Sequence, residues 1–136
     1  MKTKSSGFTL IEMMITIATL AIIVAIAFPS YQDHIRKARR ADGKALLGNM
    51  AQQLERCYTK FGQYNNAGCT ITDGSTQESE DGYYLATATV AATTYSLSAA
   101  PQNGQENDTL CNDLIISQAG EQDIGSGATG TVDRCW

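Results

Sequence analysis

The sequence predicts an α+β protein in which one long N-terminal α-helix packs on a small antiparallel β-sheet. Three observations carry this. An almost unbroken apolar run from Phe8 to Phe28 leads into an amphipathic stripe ending at Phe61. Beyond it, short runs rich in Thr, Tyr and Val alternate with turn residues. Four cysteines, Cys57, Cys69, Cys111 and Cys135, are spread through a C-terminal part that buries little core unaided.

The helix has two characters. Phe8 to Phe28 is 21 residues, apolar on every side, long enough to span a bilayer and typical of a membrane or filament core. Further on, Leu47, Met50, Leu54, Cys57 and Phe61 recur at spacings of 3 and 4, which makes one helical stripe. Asp33 with Lys37, and Arg39 with Asp42, are i,i+4 and i,i+3 pairs on the wet face. If unbroken, residues 8–61 form a rod of about 80 Å at a rise of about 1.5 Å per residue. Pro29 lacks the N–H that would bond to Ala25 and its ring crowds that carbonyl, so a kink or local break is expected there. Gly43 and Gly48 soften the middle by about 0.8–1 kcal/mol each relative to Ala. Gly62 ends the helix.

Gln63 to Gly82 reads as a polar connecting loop. Tyr83 to Val90 and Thr94 to Ala99, separated by Ala-Ala-Thr, suggest a β-hairpin. A third run, Leu114 to Ser117, ends at the turn signal Gln118-Ala119-Gly120-Glu121. Gly125 to Gly130 is too glycine-rich to assign.

Composition excludes several chemistries. The formal net charge of −4 gives no general drive toward nucleic acid. The cysteines contain no C-x-x-C pair, so zinc ribbons and thioredoxin-like sites fit poorly. Three disulfide pairings are open to them. Cys57–Cys69, joining the helix end to the loop, and Cys111–Cys135, closing the last segment, are favoured, because crossed pairings need loop and tail to meet at one point. A loop of this size closed by a disulfide contributes about 3 kcal/mol in the chain-entropy model. His34 is the only histidine and is far along the helix from any cysteine, so it reads as a solvated residue and not a base. Asp73, Glu78, Glu80 and Asp81 share a loop, but the Asp73-x-Ser75-x-Gln77 start lacks the glycine and the carboxylates of a calcium loop. Arg36, Lys37, Arg39, Arg40 and Lys44 follow the apolar segment directly, a position suited to lipid headgroups. No catalytic constellation, cofactor site or metal site is expected.

The start of the chain carries the most specific signal. Gly7-Phe8-Thr9-Leu10-Ile11-Glu12 opens the apolar run, behind a short hydrophilic leader with Lys2 and Lys4. An ordinary signal peptide would use residues 13–26 and the Ala25-Ile26-Ala27 site, yet it leaves Glu12 and this block unexplained. A carboxylate near the middle of a bilayer costs about 2.5–3.5 kcal/mol on insertion scales, so an intramembrane acid is usually functional. The block resembles the class III signal of type IV pilins and related secretion pseudopilins. Weaker resemblance continues through Arg39 to Lys44, Leu54 to Tyr58, Leu114 to Gly120 and Cys135-Trp136, most similar to minor pilins of the PilE kind.

The resemblance implies the type IV pilin fold and a division into a leader, residues 1–7, a transmembrane or filament-core helix, 8–29, and a globular domain, 30–136. It implies cleavage between Gly7 and Phe8 by a prepilin peptidase/methyltransferase, an N-methylated Phe8, and Glu12 as the assembly acid, with Pro29 bending the stem. The implied protein is a structural, minor pilus subunit and not an enzyme. It is held single-pass in the inner membrane with its C-terminal domain in the periplasm, then assembled by the inner-membrane machinery into an extracellular filament. Its partners would be other pilins, through the N-terminal helix, and the lipid bilayer before assembly. The basic run after the stem opposes this orientation under the positive-inside rule, whereas the cysteines and the resemblance favour it. A secretion pseudopilin and a DNA-uptake pilin are the alternatives. The latter needs a basic distal domain, and residues 62–136 hold only Arg134, so no nucleic-acid partner is expected.

Overall fold

Thr9 starts the first helix. Its carbonyl accepts the Met13 N–H at 3.2 Å and its hydroxyl accepts the Glu12 N–H at 3.3 Å, the geometry of an N-cap. In the computed structural model, which describes residues 7–136, the helix that follows is α1, Leu10–Phe61. Most of the expected leader, residues 1–6, lies outside the described residues. Helical structure continues through Pro29, so the local break expected there is absent. Proline removes only one hydrogen bond, and the helical turns before it (apolar, Ala21 to Phe28) and after it (mostly polar, Ser30 to Lys37) carry the helix past it. At the far end Gly62 takes φ 73° and donates its N–H to the Tyr58 carbonyl at 2.7 Å, a left-handed helix terminus that favours glycine.

The chain divides into two compact units, one ending at Ile35 and the other Arg36–Trp136. The second unit contains a five-stranded antiparallel sheet in sequence order: β1 Thr76–Glu78, β2 Tyr84–Val90, β3 Tyr95–Pro101, β4 Leu114–Ser117 and β5 Gln122–Ile124. A single helical turn, α2, Val132–Cys135, follows. The central hairpin pairs Tyr84 with Pro101 through Val90 with Tyr95. Strands β1 and β5 were not evident in the sequence, where β1 falls inside the expected loop. Each is a three-residue polar edge strand with no apolar alternation, formed by pairing with a stronger neighbour.

Period-two burial builds the core. Tyr84, Ala86, Ala88 and Val90 of β2, and Tyr95, Leu97 and Ala99 of β3, face inward with Leu114 of β4. They form one cluster with Leu46, Leu47, Met50 and Leu54 of α1. The α1 stripe differs from the sequence reading at both ends. Phe61 is 37% exposed, whereas Arg40 and Gly43 are buried and carry the same 3-and-4 rhythm toward the N-terminus. Gly43 permits a close approach: a Cβ there would lie 2.8 Å from the Tyr84 ring.

Candidate assembly site

The stem unit is apolar and unburied. Phe8 and Leu10 are each 78% exposed, and every residue from Gly7 to Tyr31 is solvent-accessible within the single chain. By length and composition α1 contains a segment able to cross a membrane. Its hydroxyls are satisfied locally: Thr16 donates to the Met13 carbonyl at 2.8 Å, and Thr19 donates to the Ile15 and Thr16 carbonyls at 3.0 and 2.9 Å. Glu12 is the only charge between Phe8 and Gln32. Among the described residues no hydrogen bond or ion pair reaches its carboxylate; its backbone N–H donates to the Thr9 cap. The Thr9-x-x-Glu12 spacing is itself a capping-box signature legible in the sequence. Gly7 and Phe8 precede α1 and Glu12 lies in its first turn, while Pro29 is 17 residues further along α1 than Glu12 and shares no local site with them.

Three members of the basic run that follows, Arg39, Arg40 and Lys44, make contacts within the fold, whereas Lys37 is exposed. Arg40 is buried, and its Nε and Nη2 donate to the two carboxylate oxygens of buried Asp108 at 2.6 and 2.7 Å. Such bidentate pairing compensates two charges removed from water. Arg39 lies 4.2 Å over the Tyr83 ring and donates to the Gly104 carbonyl, while Asp42 accepts the Asp81 N–H, so Arg39 and Asp42 do not pair with each other. Lys44 donates to the main-chain oxygen of Trp136 at 2.7 Å. Partial burial lowers the Lys44 pKa below its ordinary value, and the charges of Arg40 and Lys37 lower it further. Gln105, fully buried, donates to Tyr84 Oη, Asp108 Oδ2 and the Arg36 carbonyl.

Two disulfides close the unit: Cys57–Cys69, with Cα atoms 5.5 Å apart, and Cys111–Cys135, 5.7 Å apart. In the acidic loop Asp73 accepts the Val90 N–H at 2.8 Å. Among the described residues no group of three or more His, Cys, Asp or Glu is placed to hold a metal ion.

Comparison with known proteins places these features. A family model described as "Type IV minor pilin ComP, DNA uptake sequence receptor" matches residues 29–115, and the "Prokaryotic N-terminal methylation motif" matches residues 2–28. "Prepilin peptidase-dependent protein D" of Escherichia coli (strain K12) is 31% identical over 134 residues, covering 97% of this chain and 84% of that protein. "Type IV major fimbrial protein FimA" of Dichelobacter nodosus is 33% identical over 106 residues, covering 76% and 66% respectively. A solved type IV pilin from Shewanella oneidensis aligns with 27% identity and a TM-score of 0.46, over 74% of this chain and 97% of that one. With a pilin model matched over residues 29–115 and a relative aligned over nearly the whole sequence, this chain belongs to the type IV pilin family, a structural subunit and not an enzyme.

Proposed function

We propose that this chain is a minor subunit of a type IV pilus. A prepilin peptidase/methyltransferase cuts between Gly7 and Phe8 and methylates the new terminus, which keeps its positive charge. The mature chain waits in the inner membrane on its apolar stem, with the Arg36–Trp136 unit in the periplasm. It then joins the filament through the stem, where Glu12 receives the Phe8 ammonium of a neighbour. One observation carries this reading: an apolar stem exposed on all sides holds a single carboxylate with no partner of its own among the described residues. Filament packing covers the apolar surface and supplies the missing cation, since a charge removed from water needs a paired counter-charge.

Glu12→Ala tests it. Membrane insertion should be retained or improved, because removing the acid lowers the transfer cost. Cleavage after Gly7 should continue, and the ratio of subunit in sheared filaments to subunit in membranes should fall sharply. An unchanged ratio with normal processing would show that Glu12 has no part in assembly. A mature terminus at Phe28 would return the chain to an ordinary signal peptide.

A second reading, DNA uptake, is favoured by the described role of the model that matches residues 29–115. Charge weighs against it. Residues 62–136 hold ten acidic residues and one basic residue, and Arg39, Arg40 and Lys44 are engaged within the fold. Duplex DNA binding that weakens steeply with salt would restore this reading.

A further inference from the structure

The C-terminal segments hold α1 by bonds that converge on one disulfide. Asp108, which pairs with Arg40, lies three residues before Cys111. Arg134 and Trp136 flank Cys135, and their main-chain oxygens accept from Arg40 Nη1 at 3.5 Å and from Lys44 Nζ at 2.7 Å. Gln105 reaches the Arg36 carbonyl at 3.2 Å. Backbone bonds from Gly130 to the Leu110 carbonyl and from Thr129 to the Thr109 carbonyl, 2.8 and 3.0 Å, strap the two segments together. Neither segment contributes a residue to the β2–β3 ladder. Cys111 and Cys135 are 0% and 1% exposed, whereas Cys57 is 8% exposed and Cys69 is half-buried.

We propose that residues 105–112 and 130–136, closed by Cys111–Cys135, form a clasp on α1 that opens as one unit, and that thiol–disulfide exchange at this bond decides whether Arg40 and Lys44 are held or released. The reductant is a dithiol. One thiolate attacks a sulfur of the pair, breaking the S–S bond and giving a mixed disulfide and one cysteine thiolate. The second thiol of the reductant then displaces the other cysteine. The protein gains two electrons and two protons, and the reductant leaves as a disulfide. Because both sulfurs are buried, attack requires the clasp to open first. The coupling is therefore reciprocal: the disulfide holds the cations, and the cations shield the disulfide.

Timed reduction with dithiothreitol, alkylation and peptide mapping of the full chain in detergent tests this. In the wild type Cys57–Cys69 should be reduced first and Cys111–Cys135 should lag. Lys44→Gln and Arg40→Gln should each speed reduction of Cys111–Cys135 at least about fivefold, the lower end of typical coupling, while Cys57–Cys69 keeps its rate. Replacing Cys111 and Cys135 by Ala should open Arg40 and Lys44 to trypsin while amides of β2 and β3 stay protected from exchange. Two results would overturn the clasp. One is an unchanged Cys111–Cys135 rate in both Gln variants. The other is equal acceleration of both disulfides with loss of β2–β3 protection, which would mean global unfolding. Lys44→Gln keeps the test usable if Arg40→Gln does not fold, since Lys44 is only half-buried.

Discussion

Arg40 owes its place in the core to geometry and not to polarity. An arginine fork matched to both oxygens of Asp108, with Gln105 adding a third bond at 3.1 Å, replaces the water that each ion loses. Breaking one side leaves the other charge buried and unpaired. Arg40→Met should therefore cost about 3–5 kcal/mol, while Arg40→Met with Asp108→Leu should recover much of that loss. Urea midpoints of the two variants against wild type check it. A double variant no more stable than the single one would mean that lost packing, and not the stranded carboxylate, dominates. By residue type Arg40 belongs with the basic cluster suited to lipid headgroups, not with the core. Its position, three residues before Gly43 in the stripe's own rhythm, was the available signal.

At the scale of the element, α1 shows how spacing outranks residue type. The buried face runs Arg40, Gly43, Leu47, Met50, Leu54 and Cys57, all at intervals of 3 and 4. Its two glycines differ in surroundings. Gly43 faces the Tyr84 ring at a distance no Cβ tolerates, whereas nothing lies within 4 Å of a Cβ at Gly48. Gly43→Ala should destabilise by about 1–3 kcal/mol through overpacking. Gly48→Ala should stabilise by about 0.8–1 kcal/mol through helix propensity. Thermal unfolding of both variants tests the pair; equal signs would mean that Tyr84 moves aside at little cost. In the sheet, the strands legible from sequence were those with Thr, Tyr and Val alternation or an apolar run. The edge strands Thr-Gln-Glu and Gln-Asp-Ile carry no such period and exist because a partner is already in place.

Across the whole molecule, the buried tyrosines give the fold an alkaline limit. Tyr84 is fully buried, and this burial pushes its pKa up to about 12 from 10.0. Burial raises Tyr95 as well. The folded state holds these phenols neutral, so their contribution is complete below pH 10 and is lost as pH rises from 10 toward 12, when the unfolded chain ionises first. Lys44 works in the opposite sense: its lowered pKa makes its contribution grow as pH rises toward 10.5. The pH dependence of the difference between wild type and Tyr84→Phe reports the tyrosine ionisation, about 3 kcal/mol at full ionisation. Urea midpoints from pH 8 to 12 should fall less steeply in Tyr84→Phe than in wild type, with part of the tyrosinate absorbance appearing only on unfolding. Parallel profiles would show that Tyr84 ionises without opening the core.

The sequence by itself determined the long helix, its apolar first half with one acid, the central hairpin and the need for staples. Each of these is local: a period of 3.6 or 2, a run long enough for a bilayer, a cysteine count set against a small core. Of three possible pairings the cysteine spacing favoured Cys57–Cys69 with Cys111–Cys135. In the tertiary structure the loop after α1 returns Cys69 to Cys57, and the tail returns Cys135 to Cys111. Only tertiary structure decided what the cations of the basic run meet, because Asp108 and Trp136 stand 68 and 92 residues from Arg40 and Lys44. Charge compensation over that separation depends on chain path, which no local pattern records.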